Sequence, residues 1–215
     1  MMIVRHLSEH NSVANQFLAE MRDVQQQKDR LRFRHNLERL GEIMAYEMSK
    51  ELSYKPAAVQ TPLGIKPMNL LNSKVVLITI MRAGLPFLQG FQRVFDQAEV
   101  GFISSYRLEQ GDKISVRTEY MASPDLTGKT VMLVDPMLAS GRSIADAVSV
   151  LKQKGQPEKL YLASIIAAPE GIEYLKKNVT QPAALWTYSI DEKLNGNFYI
   201  VPGIGDAGDL SFGPK

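Results

Sequence analysis

The chain has 215 residues, of which 45% are hydrophobic and 22% charged, a composition that suits one globular domain and excludes a disordered chain. Its 25 lysines and arginines nearly balance its 23 aspartates and glutamates, so the net charge of +2 favours neither nucleic acid nor an anionic membrane as a partner. The absence of cysteine excludes a thiol nucleophile, a disulfide framework and a cysteine-ligated metal. Because residues 1–10 contain no secretory signal and no apolar run approaches the ~18 residues of a spanning helix, we expect a cytoplasmic protein.

The N-terminal quarter is predicted to be helical, with two helices within residues 11–53 and the second beginning near Lys28. In the second helix, apolar side chains recur at spacings of three and four, which places them on one helix face: Leu37, Leu40, Met44 and Met48. A group of helix-breaking residues then ends this pattern: Pro56, Pro62, Gly64 and Pro67. We therefore expect N-terminal helices over residues 1–55 and a β-arm over residues 56–68.

From residue 75 to residue 190, short apolar strands alternate with amphipathic helices. The predicted strands are residues 75–80, 99–105, 129–134, 159–167 and 183–189. The predicted helices are residues 85–95, 143–154 and 169–178. Continuous apolar strands separated by helices indicate an open α/β fold, with a mainly parallel sheet covered by helices on both faces.

One stretch within this core follows a different period. In residues 114–120, Ile114, Val116, Thr118 and Tyr120 alternate with smaller or charged side chains, which predicts a β-hairpin, or flap, over residues 106–125. We find no repeat and no linker, so the whole chain, residues 1–215, is predicted to be one domain. Its core is residues 75–190, and residues 191–215 form a C-terminal segment.

The strongest sign of chemistry lies where the strand 129–134 ends in Asp135 and a loop of small residues leads into the next helix. Ligands of open α/β sheets bind at the C-terminal ends of strands, and a helix N-terminus attracts phosphate. Asp135 can accept hydrogen bonds from a sugar diol, Gly141 permits close approach, and Ser140 and Ser143 supply hydroxyls. This arrangement predicts a sugar-phosphate site. The alternative is that these residues only end a strand and cap a helix.

Three other patterns bear on function. Residues 203–208 spell GIGDAG, but they lie too near the C-terminus for a dinucleotide-binding βαβ unit, so we interpret them as a tight loop that approaches packed backbone or a flat base. Arg82 and Arg107 each follow a predicted strand, where a guanidinium fork suits a phosphate ester, although surface salt bridges remain the alternative. The three histidines show no metal-ligand spacing. A basic run suits a solvated helix face or, alternatively, RNA contact: Arg30, Arg32, Arg34 and Arg39.

Five stretches, in the same order, resemble the uracil phosphoribosyltransferases, which belong to the type I phosphoribosyltransferases. Residues 134–143, VDPMLASGRS, are similar to the family's loop for phosphoribosyl diphosphate (PRPP). The other four are TPLG at 61–64, MRAGLP at 81–86, AAPEG at 167–171 and YIVPGIGDAGD at 199–209. The resemblance spans residues 61–213, whereas the N-terminal helices resemble the family only in type.

The resemblance implies a reaction in which the 5-phosphoribosyl group of PRPP moves to N1 of uracil, giving UMP and diphosphate, with Mg²⁺ carried on PRPP. It implies that Arg82 and Arg107 hold the diphosphate and that Asp206 also reaches PRPP or its metal. The remaining implied PRPP-binding residues are those of the loop: Asp135, Pro136, Met137, Leu138, Ala139, Ser140, Gly141, Arg142 and Ser143.

The same resemblance places the base in the C-terminal segment, with four implied uracil-binding residues: Ile200, Gly205, Asp206 and Ala207. Main-chain groups there would match uracil and leave a polar group unpaired against cytosine. Catalysis would rest on positioning, with Arg82 and Arg107 stabilising the departing diphosphate and Asp206 as base or orienter for uracil N1. The flap would close over the reacting centre and exclude water.

The chain departs from the family pattern at several positions. Arg142 replaces a usual glycine, which disfavours a positive φ there and places a cation beside the expected 5′-phosphate site. Ser140 replaces threonine and keeps the hydroxyl. Only Glu109 remains of a usual acidic pair after Arg107, and Leu210 stands where a basic residue is common.

Three alternatives to the uracil enzyme remain at this point. They are an RNA-binding pyrimidine regulator on the same fold, a phosphoribosyltransferase for another base, and a catalytically silent relative suggested by Arg142. The resemblance also implies a homodimer or a larger homo-oligomer, and activation by GTP in some members. We expect uracil and PRPP as partners, and neither a membrane nor a nucleic acid.

Overall fold

The computed structural model describes residues 2–110 and 113–214. For residues 105–110 and 113–119 it describes the backbone only. The strands are β1 (Met2–His6), β2 (Tyr54–Thr61), β3 (Gly64–Leu71), β4 (Val75–Met81), β5 (Glu99–Gln110), β6 (Lys113–Ala122), β7 (Thr130–Val134), β8 (Met137–Leu138), β9 (Lys159–Ala167), β10 (Ala183–Ile190), β11 (Lys193–Leu194) and β12 (Ile200–Val201). The α-helices are α1 (Ala14–Arg22), α2 (Arg30–Ser49), α3 (Gly84–Val94), α4 (Arg142–Leu151), α5 (Pro169–Asn178) and α6 (Ala207–Phe212). Short 3₁₀ turns occupy Leu7–Glu9, Gln26–Lys28 and Lys152–Lys154.

The central sheet has the strand order β1-β10-β9-β7-β4-β5-β6, and β8 pairs with the end of β9. All of these pairs are parallel except β5 with β6. Strands β4, β7 and β9 are buried over nearly their whole length, as expected where both faces of a sheet are covered. The predicted open α/β fold is confirmed.

Apolar side chains form one layer on each face of the sheet. Helices α1, α2 and α3 cover one face, where Leu37 and Phe91 are fully buried. Helices α4 and α5 cover the other face, with Ile144 and Ile172 in the core. Among the described residues, no helix is both long enough and apolar enough to cross a membrane.

The two predicted N-terminal helices, the β-arm and the flap are all present as secondary structure. The arm is the β2–β3 hairpin, which is longer than the predicted 56–68, and the flap is the β5–β6 hairpin, whose turn at Gly111 and Asp112 lies outside the described residues. The predicted end of β5 at residue 105 is wrong, because antiparallel pairing with β6 extends the strand to Gln110. The backbone of Arg107 therefore lies within a strand, opposite Val116, and not after its end.

Among the elements longer than three residues, two were not predicted from the sequence. Strand β1 carries Arg5 and His6, and only its pairing with β10 shows that it is a strand. Helix α6 has six residues and begins at a loop whose glycines hide the helical pattern. Both elements depend on contacts with distant parts of the chain, which a local pattern does not reveal.

A buried carboxylate joins α1 to α2. Glu20 accepts hydrogen bonds from Arg32 Nε (2.8 Å) and Arg32 Nη2 (2.7 Å), and from Asn36 Nδ2 (2.8 Å). These bonds lower the pKa of Glu20 from 4.5 to about 2, against the opposing effect of burial. Because the folded pKa is depressed, the pair stabilises the protein fully above about pH 4.5, and this contribution is lost as the pH falls towards 2.

We predict that Glu20→Gln lowers the free energy of unfolding by about 1–2 kcal/mol at pH 7, because Arg32 and Asn36 lose their charged acceptor. The difference from the wild type should shrink as the pH is lowered from about 5 to 2.5, where the wild-type carboxylate itself takes up a proton. Urea unfolding at fixed protein concentration measures both effects. Glu42→Gln, an exposed change on α2, is the matched control. A difference that did not depend on pH would contradict this account of the pair.

Candidate active site

A cavity of about 700 Å³ opens at the carboxyl edge of the parallel strands. Three stretches of the chain line it, together with Ser104 of β5: the β4–α3 turn at residues 80–83, the loop and helix start at residues 135–144, and the C-terminal stretch at residues 198–208. Residues that were predicted to be functional in distant parts of the sequence thus lie around one cavity. Parallel strands bring this about because the segments that follow them emerge at the same edge.

The loop after β7 is fastened to the neighbouring strand by its backbone. The carbonyl oxygen of Pro136 accepts hydrogen bonds from the backbone N–H groups of Ile165 (2.9 Å) and Ile166 (3.2 Å). The carboxylate of Asp135 accepts one from the backbone N–H of Met137 (3.3 Å) and lines the cavity. The loop is therefore held before any ligand arrives. Of the loop residues predicted to bind PRPP, Pro136 and Arg142 do not line the cavity, and the others do.

Helix α4 begins at the cavity without a side-chain cap. Its N-cap, Gly141, has φ +77°, and a Cβ there would lie 2.7 Å from the carbonyl oxygen of Gly171 on α5. Only glycine fits this close approach without a shift of the backbone. Because no side chain caps the helix start, its first-turn N–H groups face the cavity end of the helix, where an anion binds well.

Arg142 is exposed and does not line the cavity. It is the first residue of α4 and its φ is not positive, so arginine in place of the usual glycine is sterically compatible with the loop. Its guanidinium carbon lies 5.8 Å from the ring centre of Tyr174 on α5. The predicted contact between Arg142 and a 5′-phosphate stays a prediction.

Arg82 lies in the β4–α3 turn, as predicted, and lines the cavity. Its Nη2 is 2.9 Å from Oδ1 of Asp209, and its Nη1 donates to the carbonyl oxygen of Gly213 (3.3 Å). The side chain is 35% exposed, so the guanidinium remains reachable from the cavity. The second predicted arginine, Arg107, has a side chain outside the described part of the structure.

The C-terminal stretch forms a tight loop and a short helix. Asp206 is the N-cap of α6, where its Oδ1 accepts from the backbone N–H groups of Gly208 (2.8 Å) and Asp209 (3.0 Å). Gly205, Asp206 and Ala207 line the cavity, whereas Ile200 is buried and does not. The predicted tight loop at residues 203–208 is thus present, with α6 beginning inside it.

Two aromatic residues of the cavity were not among the predicted site residues. Phe198 and Tyr199 line it, and both side chains remain partly exposed. Phe198 has φ +60°, a left-handed conformation that bulky residues seldom adopt. The signal in the sequence was the aromatic pair directly before β12, although an aromatic pair beside a strand more often packs into a core.

The carboxylates of the cavity suit a metal ion that arrives with its substrate. In the part of the chain that is described, no three histidine or acidic side chains are grouped so as to hold a metal. Asp135 and Asp206 are the carboxylates lining the cavity. Mg²⁺ is commonly bound by one or two carboxylates together with substrate phosphates, so this donor set fits an Mg²⁺ ion carried on PRPP.

Comparison with known proteins agrees with the geometry. A sequence model of the uracil phosphoribosyltransferase family matches residues 7–214. A uracil phosphoribosyltransferase of Porphyromonas gingivalis is 46% identical over the whole of both chains. The solved structure of the AQ2163 protein from Aquifex aeolicus has a TM-score of 0.87 and 32% identity, covering 98% of each chain. A hypoxanthine phosphoribosyltransferase of Staphylococcus aureus, with TM-score 0.51 and 10% identity over 74% of each chain, shares the fold.

We predict that Gly141→Ala destabilises the protein by about 1–2 kcal/mol, because the new Cβ meets the Gly171 carbonyl and the positive φ disfavours alanine. For a chain of this size, the melting temperature should fall by roughly 2–8 °C, as measured by thermal unfolding. Gly196→Ala is the matched control, since a Cβ there meets no atom within 4 Å. Equal melting temperatures for the two variants would show that the loop does not need its close contact with α5.

Proposed function

This chain belongs to the uracil phosphoribosyltransferase family, and we propose that it transfers the 5-phosphoribosyl group of PRPP to N1 of uracil, forming UMP and releasing diphosphate. The observation that carries the proposal is the shared cavity, which joins a phosphate loop, an arginine turn and a main-chain loop from three distant parts of the sequence. The cavity is large enough for a sugar phosphate and a small base together.

The phosphate loop suits the ribose 5-phosphate half of PRPP. The uncapped start of α4 offers backbone N–H groups to the 5′-phosphate, and Ser140 and Ser143 add hydroxyl donors. Asp135 lies beside them at the end of β7, where its carboxylate can accept hydrogen bonds from the two ribose hydroxyls. The backbone bonds from the loop to β9 keep these groups in place, which lowers the entropic cost of binding.

Arg82 suits the diphosphate half. As the bond from C1′ to diphosphate breaks, negative charge grows on the leaving oxygen, and a positioned guanidinium stabilises that charge. In the structure the fork of Arg82 is held by Asp209 and Gly213, so diphosphate would take over donors that now bind α6. Arg107 is proposed to act with Arg82, and Mg²⁺ carried on PRPP would neutralise further charge on the diphosphate.

The base site is proposed to be the loop at residues 205–207, with the aromatic side chains of Phe198 and Tyr199 beside it. Main-chain N–H and C=O groups can complement the carbonyl oxygens and N3–H of uracil. Cytosine would leave one of these groups unpaired, which costs more than a difference in size would. Asp206 is proposed to orient N1 or accept its proton, with Oδ1 held by the N-cap bonds.

A diphosphate-release assay with PRPP and Mg²⁺ tests this function. We expect release of diphosphate with uracil, and little or none with cytosine, thymine, hypoxanthine or no base. The assay is run both with and without GTP, and we expect the same base specificity in each case. Release of diphosphate with one of the other bases, and not with uracil, would show that this other base is the substrate. No release with any base, from a protein shown to be folded, would overturn the proposal and favour a silent or RNA-binding relative.

Two arginine variants serve as controls in the same assay. Arg82→Ala should lower kcat by about 10²–10³, the usual cost of one lost donor to a developing anion. Arg93→Ala removes an arginine that pairs with Glu38 on the surface, away from the cavity, and should leave the rate unchanged.

We also propose that the chain works as a homodimer in the cytoplasm, with the β2–β3 arm packed on a second copy. The arm projects from the sheet, and its large apolar side chains are exposed: Leu63 is 100% exposed, Ile65 69%, Met68 48% and Tyr54 47%. Such a two-stranded hairpin is marginally stable alone, so it needs a partner surface. A second copy supplies the same self-complementary face. The absence of cysteine suits a reducing compartment.

Replacing Ile65 and Leu71, which lie on one face of the arm, by glutamate should convert the dimer to monomer, because charges would then be buried. Sedimentation equilibrium measures the mass. The double variant Val24→Glu with Leu31→Glu, at exposed apolar positions outside the arm, is the control and should stay dimeric. A monomeric wild type, or an arm variant with the wild-type mass, would contradict the proposal.

A further inference from the structure

A buried ion pair fastens the start of the base loop to the N-terminal helix α1. Arg22 Nη2 donates to Asp191 Oδ1 (2.6 Å), and Arg22 Nη1 donates to Asp191 Oδ2 (2.8 Å). Nη2 also donates to the hydroxyl of Ser189 (3.0 Å), which itself donates to Asp191 (2.7 Å). The pair therefore joins the end of α1 to the end of β10, across 169 positions of sequence.

Both backbone groups of Gly203 are held by this pair. Its N–H donates to Asp191 Oδ2 (2.8 Å), and its carbonyl oxygen accepts from Arg22 Nη1 (2.8 Å). Gly203 has φ +64°, and a Cβ would lie 2.1 Å from the carbonyl oxygen of Ile200, so the turn tolerates no other residue without a shift. The orientation of the backbone at Gly203 is thus fixed by the bidentate ion pair of Arg22 and Asp191.

Burial makes this arrangement strong. The Asp191 side chain is 2% exposed and that of Arg22 24% exposed, so water competes little for their bonds. Burial alone would raise the pKa of Asp191, but the bonds from Arg22, Ser189 and Gly203 hold it below the ordinary value. Neither side chain lines the cavity, so neither touches substrate there.

The pinned glycine stands two positions before the residues proposed to meet uracil. Ile204, between them, is buried in the core. Because tight packing holds its side chain, a displacement of the Gly203 backbone also displaces the backbone of Gly205. We propose that Arg22 and Asp191 are positioning residues of the base site, which set the placement of the main-chain groups at residues 205–207 and so the affinity for uracil and its discrimination from cytosine. This inference rests on the proposed function.

The experiment compares Arg22→Lys and Asp191→Asn with the wild type, measuring kcat and KM for uracil and for PRPP and the uracil-to-cytosine ratio of kcat/KM. Lysine keeps the positive charge of residue 22 but lacks the planar guanidinium that binds Asp191 and Gly203 at the same time. Since small misplacements of binding groups cost up to about 10²-fold, we expect KM for uracil to rise by about tenfold or more and the ratio to fall. KM for PRPP should stay within about twofold of wild type.

Glu20→Gln is the matched control, because it breaks another ion pair of α1, between Glu20 and Arg32, that does not contact the base loop. It should lower stability and leave both KM values and the base ratio unchanged. Stabilisation of each variant by PRPP in thermal unfolding shows that its phosphate site is folded. If Asp191→Asn does not fold, Arg22→Lys carries the test.

The outcomes distinguish a failure of the proposed function from a failure of the positioning role. No turnover of uracil by the wild type would overturn the proposed function. Turnover by the wild type together with unchanged KM for uracil and an unchanged base ratio in Arg22→Lys would overturn the positioning role. Equal rises in KM for uracil and for PRPP in Arg22→Lys, with an unchanged base ratio, would do the same.

Discussion

The parallel pairing of β4, β7 and β9 is the constraint on which the site depends. These strands are buried on both faces, so their backbone groups must pair with one another, and their side chains must be apolar along nearly the whole strand. Charged residues such as Arg82 and Asp135 then lie where the strands end, at one shared edge. The sheet thus concentrates charge at the cavity without any metal cluster or disulfide in the described chain.

The C-terminal segment leaves β10 at that same edge, where apolar packing of Ile200 and Ile204 and hydrogen bonds from two arginines hold it. Arg22 and Asp191 fix Gly203, and Arg34 Nη1 donates to the carbonyl oxygen of Ser211 (2.7 Å) on α6. Both arginines belong to the N-terminal helical region. The part of the sequence that least resembled the family therefore supports the loop proposed to read the base.

The sequence was most informative where structure is local. Apolar continuity predicted β9 as residues 159–167 and helix α5 as residues 169–178 with their observed ends, and the turn from β7 to α4 followed from its small residues. It was least informative where a contact joins distant positions. Nothing near Arg82 in sequence points to Asp209, 127 positions away, and nothing near Arg22 points to Asp191. Phe198 was missed because a left-handed φ at a bulky residue follows from the surrounding turn and not from residue type.

Arg82 and Arg22, two of the arginines that anchor the C-terminal segment, differ in whether a bound substrate would compete for them. Arg82 binds α6 through Asp209, but it lies in the cavity, so a diphosphate would compete with that carboxylate for the same guanidinium. Arg22 lies outside the cavity and faces no such competition. If diphosphate draws Arg82 away from Asp209, the base loop needs a second anchor that PRPP does not reach in order to stay in place. The buried pair of Arg22 and Asp191 meets that requirement, because its bonds to Gly203 do not involve the guanidinium of Arg82.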